Sequence, residues 1–307
     1  MTFDEFVKAV RTGIAGIFDD GKTVVSASEV VKNNGLVLTG INIREKGRNI
    51  IPTIYIDDFY REDMDNYDID NIVSQIKQVY SSRCDGISNC SDLDETEKYS
   101  DYHWVSDKIF FTLVNFELNK KLLKTIPYIR FHDLAVIFRC VFHRGENGMA
   151  SSVISNIDIK RWGIDKKILY SQAVFNTPRL FPPVVEKIAA ILEDRAMMPE
   201  HIFEEIIGDA GDMYVLTNSS GLNGAAAILY EEVLDECAKK AGGNIYVLPS
   251  SIHEMIFLNE NLVDDEEELT GIVKDVNDNV VNRVELLSYN VYYYNCYSKQ
   301  LSVISAL

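Results

Sequence analysis

The last hundred residues alternate short apolar runs with amphipathic helical segments, and this alternation constrains the fold more than any other sequence feature. Strands are predicted over residues 213–217, 225–229, 245–248, 255–258, 291–294 and 301–304. Helices are predicted over residues 231–241, closed by Gly242, and over residues 266–278. A hairpin followed by a helix is therefore the recurring pattern. This pattern favours an α+β fold over a doubly wound parallel sheet.

The amino-terminal segment carries its own helix and strand signals. Thr2 followed three residues later by Glu5 is a capping-box pattern, and apolar residues at three- and four-residue spacing predict a helix over residues 3–18. Strand patterns on either side of a turn at Asn34 predict a three-strand meander. Asp68 is positioned to cap a second helix. Residues 1–82 are thus predicted to form an α-β-β-β-α unit.

The middle of the chain contains the predicted domain boundary. Residues 83–107 are interpreted as an acidic loop or linker, and residues 85–101 hold too little apolar content to join a core. Residues 108–307 are predicted to form a larger C-terminal α+β region of successive β-hairpins and helices. Within it we expect strands over residues 109–114, 134–142 and 149–154, a helix from Asp165 that ends before Pro178, and another helix beginning at Pro182-Pro183.

Charge is unevenly distributed along the chain. The formal net charge is −17, which argues against general nucleic-acid binding and against binding to anionic membranes. Thirteen acids against four bases lie in residues 57–101, and residues 259–268 add six acids, whereas residues 120–180 carry eleven bases against four acids. Three interpretations stay open: an acidic surface that docks a basic protein, acidic loops against the chain's own basic middle, or solvated surface.

Targeting and cysteine signals indicate a cytoplasmic protein. The amino terminus has acids where a secretory signal carries bases, and the apolar runs are far shorter than the roughly 18 residues that a membrane span requires. Five cysteines form an odd and sparse set, which does not indicate a disulfide framework. A reducing cytoplasm is therefore expected.

No metal site or cofactor is predicted. Four aspartates between Asp63 and Asp70 lack the glycine and glutamate that an EF-hand loop requires at its sixth and twelfth positions. Cys84 and Cys90 lack the paired histidines of a zinc finger. Phosphate-loop, nucleophile-elbow and metalloprotease motifs are also missing from the sequence.

The segment Ser250-Ser251-Ile252-His253-Glu254 has the most reactive combination of side chains. A hydroxyl, an imidazole and a carboxylate are the groups of a nucleophile, a base and an orienting residue. The alternative interpretation is structural, with the hydroxyls of Ser250 and Ser251 bonding turn amides between two strands.

Four further residues are candidates for ligand or partner binding. Tyr214 and Asn218 would line one surface with the Ser250–Glu254 segment if the two hairpins pair. Tyr292 and Tyr294 belong to a tyrosine-rich C-terminal end, and aromatic patches are often hot spots for protein binding. Strand alternation places Tyr292 and Tyr294 on one face and Tyr293 on the other, so at least one face is expected to be core or sheet surface.

Several segments resemble a known but uncharacterised family. They include Met213-Tyr-Val-Leu-Thr-Asn218, Gly224-Ala-Ala-Ala-Ile-Leu-Tyr230, Tyr246-Val-Leu-Pro-Ser-Ser-Ile-His-Glu254, Val291-Tyr-Tyr-Tyr294, Asn34-Gly-Leu-Val-Leu-Thr-Gly40, Pro52-Thr-Ile-Tyr-Ile-Asp-Asp-Phe-Tyr60 and Asn176-Thr-Pro-Arg-Leu-Phe-Pro182. Over nearly the whole chain they are similar to a domain-of-unknown-function family from gut-dwelling anaerobic Firmicutes. The resemblance implies a bacterial cytoplasmic setting and no particular activity.

These observations lead to two functional hypotheses. The first is a cytoplasmic, non-enzymatic binding or adaptor protein whose acidic surface binds a basic surface on another protein, because the chain has a strong core pattern and charge asymmetry but no complete catalytic signature. The second is a hydrolase that uses His253 with Ser250 or Ser251. The sequence does not indicate an oligomeric state.

Overall fold

The computed structural model describes residues 1–18, 21–45, 53–87, 98–145, 148–194 and 212–304. The chain divides into two compact units. The first comprises Met1–Val105 with Gly145–Gly148, and the second comprises Ser106–Arg144 with Met149–Leu307. Cys90 and most of the predicted 85–101 loop lie outside the described residues.

Helix α1, Phe3–Ile17, begins with the predicted capping box. The Glu5 N–H donates to Thr2 Oγ1 at 3.3 Å, and the Thr2 N–H donates to Glu5 Oε2 at 2.8 Å. Two backbone donors that the helix leaves free at its first turn are thereby satisfied. The helix buries Phe6, Val10 and Ile14, which are spaced four residues apart.

Three antiparallel strands follow in the order β1-β2-β3, and this confirms the predicted meander. They are β1 (Thr23–Val31), β2 (Val37–Glu45) and β3 (Thr53–Tyr55). The β1–β2 turn places Asn34 at φ 58° and Gly35 at φ 69°, in the left-handed region that these residue types tolerate best.

Helix α2, Asn66–Ile87, completes the core of the first unit and continues beyond the predicted end of that unit at residue 82. The predicted cap, Asp68, is wrong, because it lies inside the first turn of the helix. Asp65 precedes the helix and caps it: the Asp68 N–H donates to Asp65 Oδ1 at 3.0 Å. One buried cluster joins α1, the sheet and α2, and it contains Phe6, Val10, Ile14, Ile41, Ile43, Ile54, Ile56, Ile69, Ile72, Val73 and Ile76. A short helix, α3 (Tyr102–Val105), ends the main segment of this unit.

The second unit begins with a four-stranded antiparallel sheet. Its strands are β4 (Ile109–Asn115), β5 (Tyr128–Phe131), β6 (Leu134–Gly145) and β7 (Gly148–Val153). The long strand β6 pairs with β4 along one edge and with β5 and β7 along the other. Three helices accompany these strands: α4 (Lys120–Leu123), α5 (Asn156–Trp162) and α6 (Lys166–Leu180).

Helix α6 is longer than the sequence predicts. Asp165 caps it as expected, with the Ile168 N–H donating to Asp165 Oδ1 at 2.8 Å, but the helix continues through Pro178 to Leu180. The Thr177 hydroxyl donates to the Ala173 carbonyl and accepts the Phe111 N–H of β4 at 3.1 Å. This packing against β4 holds the last turn despite the proline, which removes a backbone donor.

A six-stranded antiparallel sheet completes the second unit, with the order β13-β12-β10-β11-β9-β8. The strands are β8 (Pro183–Lys187), β9 (Tyr214–Asn218), β10 (Ile245–Pro249), β11 (Met255–Asn259), β12 (Val291–Asn295) and β13 (Gln300–Ile304). Helices α7 (Ile188–Asp194), α8 (Val233–Ala241) and α9 (Glu266–Asn279) lie between them in sequence. The α+β fold class and its series of hairpins and helices are confirmed.

Two of the predicted elements are wrong. The Pro182-Pro183 segment does not start a helix but leads into strand β8, where Val184 and Val185 pair with Thr217 and Leu216 of β9. Residues 225–229 are not a strand but part of a buried 3-10 helix, Gly224–Leu229. The glycine and alanines of this 3-10 helix let its backbone lie close to the end of β9 and to the turn after β10. The apolar pattern of the sequence does not reveal this close contact.

Candidate functional site

The Ser250–Glu254 segment forms the turn between β10 and β11. The Ser251 N–H donates to the Glu254 carbonyl at 3.2 Å, and the His253 N–H donates to Ser251 Oγ at 3.0 Å. Ser250 Oγ donates to Glu254 Oε1 at 3.4 Å, a long and weak bond. Ser251 therefore bonds a turn amide, as the structural interpretation expects, whereas Ser250 bonds a carboxylate of the same turn instead of an amide.

The imidazole of His253 reaches across to two other loops. Its Nδ1 accepts the backbone N–H of Asn223 at 3.1 Å, and its Nε2 lies 3.7 Å from Glu285 Oε1. Because Nδ1 accepts a hydrogen bond, the neutral ring carries its proton on Nε2, facing the Glu285 carboxylate. The acceptor nitrogen that a general base needs is thus occupied by a backbone amide.

Asn218 organises the loop that provides this amide. The side chain is buried; its Nδ2 donates to the Leu222 carbonyl at 3.0 Å, and its Oδ1 accepts the Ser220 N–H at 2.9 Å. Thr217 Oγ1 donates to the His253 carbonyl at 2.8 Å and joins the same loop to the β10–β11 turn. Asn218 is therefore next to the predicted segment, but its polar atoms bond within the protein.

Tyr214 lies at the opposite end of β9 from Asn218. Its ring stacks on Phe257 with 5.1 Å between centroids, and its hydroxyl donates to the Lys240 carbonyl at 3.2 Å. It lines a concavity of about 240 Å³ with Lys240 and Leu262. Since four residues of strand extend over about 13 Å, the structure separates Tyr214 from Asn218 and His253.

Tyr292 and Tyr294 are 0% and 4% exposed. Their hydroxyls donate to Asp133 Oδ1 and Asp235 Oδ1, each at 2.6 Å, whereas Tyr293 donates to Glu260 Oε2. Burial and the Asp133 carboxylate raise the pKa of Tyr292. A binding role for Tyr292 and Tyr294 stays a prediction that their burial does not favour, because neither ring presents a face to solvent.

Helix α9 presents a feature that the sequence analysis missed. Ile272 and Val276 on the helix and Val280 directly after its end are 54%, 42% and 77% exposed, and the spacing of four residues places them in a line along one side. We call these three residues the aliphatic ridge. The signal was present in the sequence, but the apolar residues of α9 form one broad side of the helix, and spacing alone does not say which part of that side is buried.

A second missed feature lies beside β4 and β5. Phe116, Lys120, Leu123, Lys124 and Tyr128 line a concavity of about 280 Å³, which we call the basic cleft. In the sequence these residues belong to the basic middle of the chain, but their convergence depends on the pairing of β4 and β5 with β6.

The part of the chain that the structure describes contains no group of three or more His, Cys, Asp or Glu side chains arranged to hold a metal ion. Among the same residues, no helix combines the length and apolar character needed to cross a bilayer.

The profile of a family described as "Family of unknown function (DUF5688)" matches residues 3–296, which is most of the chain. No curated protein and no solved structure shows a significant match.

Proposed function

This chain belongs to the DUF5688 family of unknown function, and from that premise we propose that it is a non-enzymatic binding or adaptor protein. In this proposal, helix α9 docks a basic amphipathic segment of a partner protein. The observation that carries the proposal is the aliphatic ridge. Single exposed apolar residues are ordinary on protein surfaces, but three in a line over about 12 Å of helix form a continuous contact surface.

The ridge lies next to the face by which α9 packs on its own sheet, since Leu269 is only about 20° from Val276 around the helix axis. Leu269 and Val273 pack into a cluster with Tyr246, Leu258 and Val291. Ile272, Val276 and Val280 are not part of this cluster and are 54%, 42% and 77% exposed, so a partner can reach them.

Hydrogen bonds also fix α9 along its length. The Tyr246 hydroxyl donates to Glu266 Oε1 at 2.6 Å near the start of the helix, and the Tyr289 hydroxyl donates to Asp278 Oδ1 at 2.8 Å near its end. Asn277 Nδ2, on the buried face, donates to the Ser288 carbonyl at 2.8 Å. A surface held in place in this way loses little conformational entropy when it binds.

The charge around the ridge indicates the kind of partner. Residues 264–280 contain seven acids and one lysine. Acids in the first turn also stabilise the helix through its dipole, but Asp275 lies beside the ridge in the later turns, with no cation of the described chain within 4.0 Å. A partner with apolar anchors flanked by Lys or Arg is complementary to this surface, whereas two copies of the same face repel each other.

The alternative function is hydrolysis by His253 with Ser250 or Ser251. It has less support, because the His253 Nδ1 accepts a backbone N–H and the serine hydroxyls bond within the turn. A reaction would require both arrangements to change before any proton transfer. We therefore favour the binding function over hydrolysis.

The proposal includes a bacterial cytoplasmic setting, of the kind found in gut anaerobic Firmicutes. Free thiols at Cys140, Cys237 and Cys296 agree with a reducing compartment. An acidic docking face also agrees with the net charge of −17.

The experiment uses a synthetic Leu and Lys peptide that forms a helix with one apolar and one basic face. Fluorescence anisotropy with the full chain should show binding that weakens as salt rises, since the charge contribution is screened. A scrambled peptide of equal composition and a Leu and Glu peptide should each bind at least about tenfold more weakly. Equal binding of the scrambled peptide, or no binding of the amphipathic one, would exclude the proposal.

A further inference from the structure

The basic cleft is a positive region in a strongly acidic protein. Residues 116–130 carry four Lys or Arg against one Glu, whereas the whole chain has a net charge of −17. Glu117 pairs with Lys120. Among the described residues, Lys124, Arg130 and Lys166 have no carboxylate within 4.0 Å. Lys124, which lines the cleft, and the nearby Arg130 and Lys166 are therefore not paired with a carboxylate of the described residues.

Aromatic rings line the same cleft. Phe116 and Tyr128 lie with 5.9 Å between their centroids. The Arg130 guanidinium lies 4.2 Å from the centroid of Phe116, and Lys166 Nζ lies 5.9 Å from that of Tyr128. Leu123, which is buried, adds an apolar wall. The cleft thus combines aromatic and aliphatic surface with positive charge next to the rings, a pairing that suits a ring with an attached anion.

Buried amides hold the loop that forms the cleft. Asn115 Oδ1 accepts the Leu118 N–H at 2.9 Å, and Asn115 Nδ2 donates to the Leu287 carbonyl at 3.0 Å. Asn119 Nδ2 donates to the Asn115 carbonyl at 2.9 Å. Asn115 and Asn119 are 8% and 2% exposed. These bonds fix the loop between β4 and α4, so the cleft exists before any ligand enters.

We propose that the basic cleft binds a small organic phosphate that carries an aromatic ring, of the size of a nucleoside monophosphate. The ring packs on Phe116 and Tyr128, and the phosphate contacts Lys124 with Arg130 or Lys120. The volume of about 280 Å³ lies near the lower limit for small-molecule sites, which favours one ring system and one phosphate over a dinucleotide. The same chemistry occurs in a free nucleotide and at the phosphorylated end of a single strand.

The test is isothermal titration calorimetry of the full chain with adenosine monophosphate, adenosine, inorganic phosphate and a 5′-phosphorylated oligonucleotide. We expect adenosine monophosphate to bind at least about tenfold more tightly than adenosine or phosphate, because only it engages both rings and cations. Tighter binding of the oligonucleotide than of the free nucleotide would identify the strand end as the source of the ligand. Equal affinity for phosphate and adenosine monophosphate would overturn the proposal, as would a failure of both nucleotide probes to bind.

Two matched variants locate the site. Lys124→Gln removes a lining cation, and Lys121→Gln removes an exposed lysine of the same short helix that does not line the cleft. We expect Lys124→Gln to weaken adenosine monophosphate binding about tenfold or more, and Lys121→Gln to change it less than about twofold. Equal effects of the two variants would mean that the nucleotide binds through general charge, and the assignment of the cleft would then be wrong. Thermal melts of both variants verify that the fold is retained.

Discussion

The backbone N–H of Asn223 donates to the imidazole Nδ1 of His253 at 3.1 Å, although the two residues are 30 positions apart. This bond ties the loop after β9 to the β10–β11 turn, and it uses the nitrogen through which a histidine would accept a proton. His253 therefore has a structural role in this arrangement. The same loop contains Gly224, whose backbone lies close to Thr217 at the end of β9 and to the His253 carbonyl of the β10–β11 turn.

The first prediction concerns the Ser250–Glu254 turn. Ser250→Ala and Ser251→Ala should each lower the free energy of unfolding by about 0.5–1.5 kcal/mol, and His253→Ala by about 1–2 kcal/mol, because each removes a side-chain hydrogen bond. Denaturant melts measure these losses. A fluorophosphonate probe should not label the parent protein. Labelling that disappears in His253→Ala would instead support the hydrolase.

The second prediction compares two glycines. A Cβ at Gly224 would overlap Thr217 Oγ1 and lie 2.5 Å from the His253 carbonyl oxygen, so Gly224→Ala should lower the free energy of unfolding by about 1–3 kcal/mol or more. Among the described residues, no atom lies within 4 Å of a Cβ built at Gly271, which is inside helix α9. Because alanine favours the helix more than glycine does, Gly271→Ala should raise the free energy of unfolding by about 0.5–1 kcal/mol. Thermal melts of both variants give the comparison, and a neutral Gly224→Ala would show that the loops are not closely packed.

The third prediction concerns alkaline pH. Burial and the bond to Asp235 raise the pKa of Tyr294 to about 12, and the bond to Glu260 with burial raises the pKa of Tyr293 to about 12. The folded chain keeps these protons above pH ~10, where unfolded tyrosine loses them. Their contribution to stability is therefore present below pH ~10 and is lost as the pH rises towards 12.

Equilibrium unfolding at several pH values, followed together with tyrosinate absorbance, measures this loss. Tyr294→Phe should make stability depend less on pH in that range. Tyr297→Phe is the control, because that ring is 89% exposed. An unchanged alkaline dependence in Tyr294→Phe would contradict the role assigned to the bond with Asp235.

The fourth prediction concerns thiol reactivity. Burial raises the pKa of Cys140 and of Cys237 to about 12, whereas Cys296 is partly exposed. In a Cys84→Ser, Cys90→Ser background, a thiol reagent at neutral pH should modify Cys296 first and the other two only on unfolding, because the thiolate is the reactive form. All five cysteines of the parent should react after denaturation without reductant. Fewer than five would indicate a disulfide or a bound metal.

Local signals were sufficient to predict some elements from the sequence. The capping box of Thr2 and Glu5, the turn at Asn34 and the closing Gly242 each act within a few residues, and the elements that they delimit were predicted correctly. Helix α9 was also predicted, since Leu269, Ile272, Val273 and Val276 recur at helical spacing.

Elements that depend on distant partners were not predicted correctly. Strand β8 exists because it pairs with β9, and the Pro182-Pro183 signal points locally to a helix start. The 3-10 helix after Asn223 depends on close contact with Thr217 and His253. The candidate site shows the same difference. Ser251 bonds an amide two residues away, so its role in the turn could be predicted from the sequence. The contacts of His253 with Asn223 and Glu285 could not be predicted, because they depend on the order of the strands.

The most direct test of the docking proposal compares two valines that are both 42% exposed, Val276 on the aliphatic ridge and Val174 on helix α6. The measurement is the dissociation constant of the Leu and Lys amphipathic peptide for Val276→Gln and Val174→Gln. Burying a valine contributes about 1.5 kcal/mol, so Val276→Gln should weaken binding about tenfold and Val174→Gln less than about twofold. Parent-like affinity in Val276→Gln, or an equal loss in Val174→Gln, would contradict docking on helix α9.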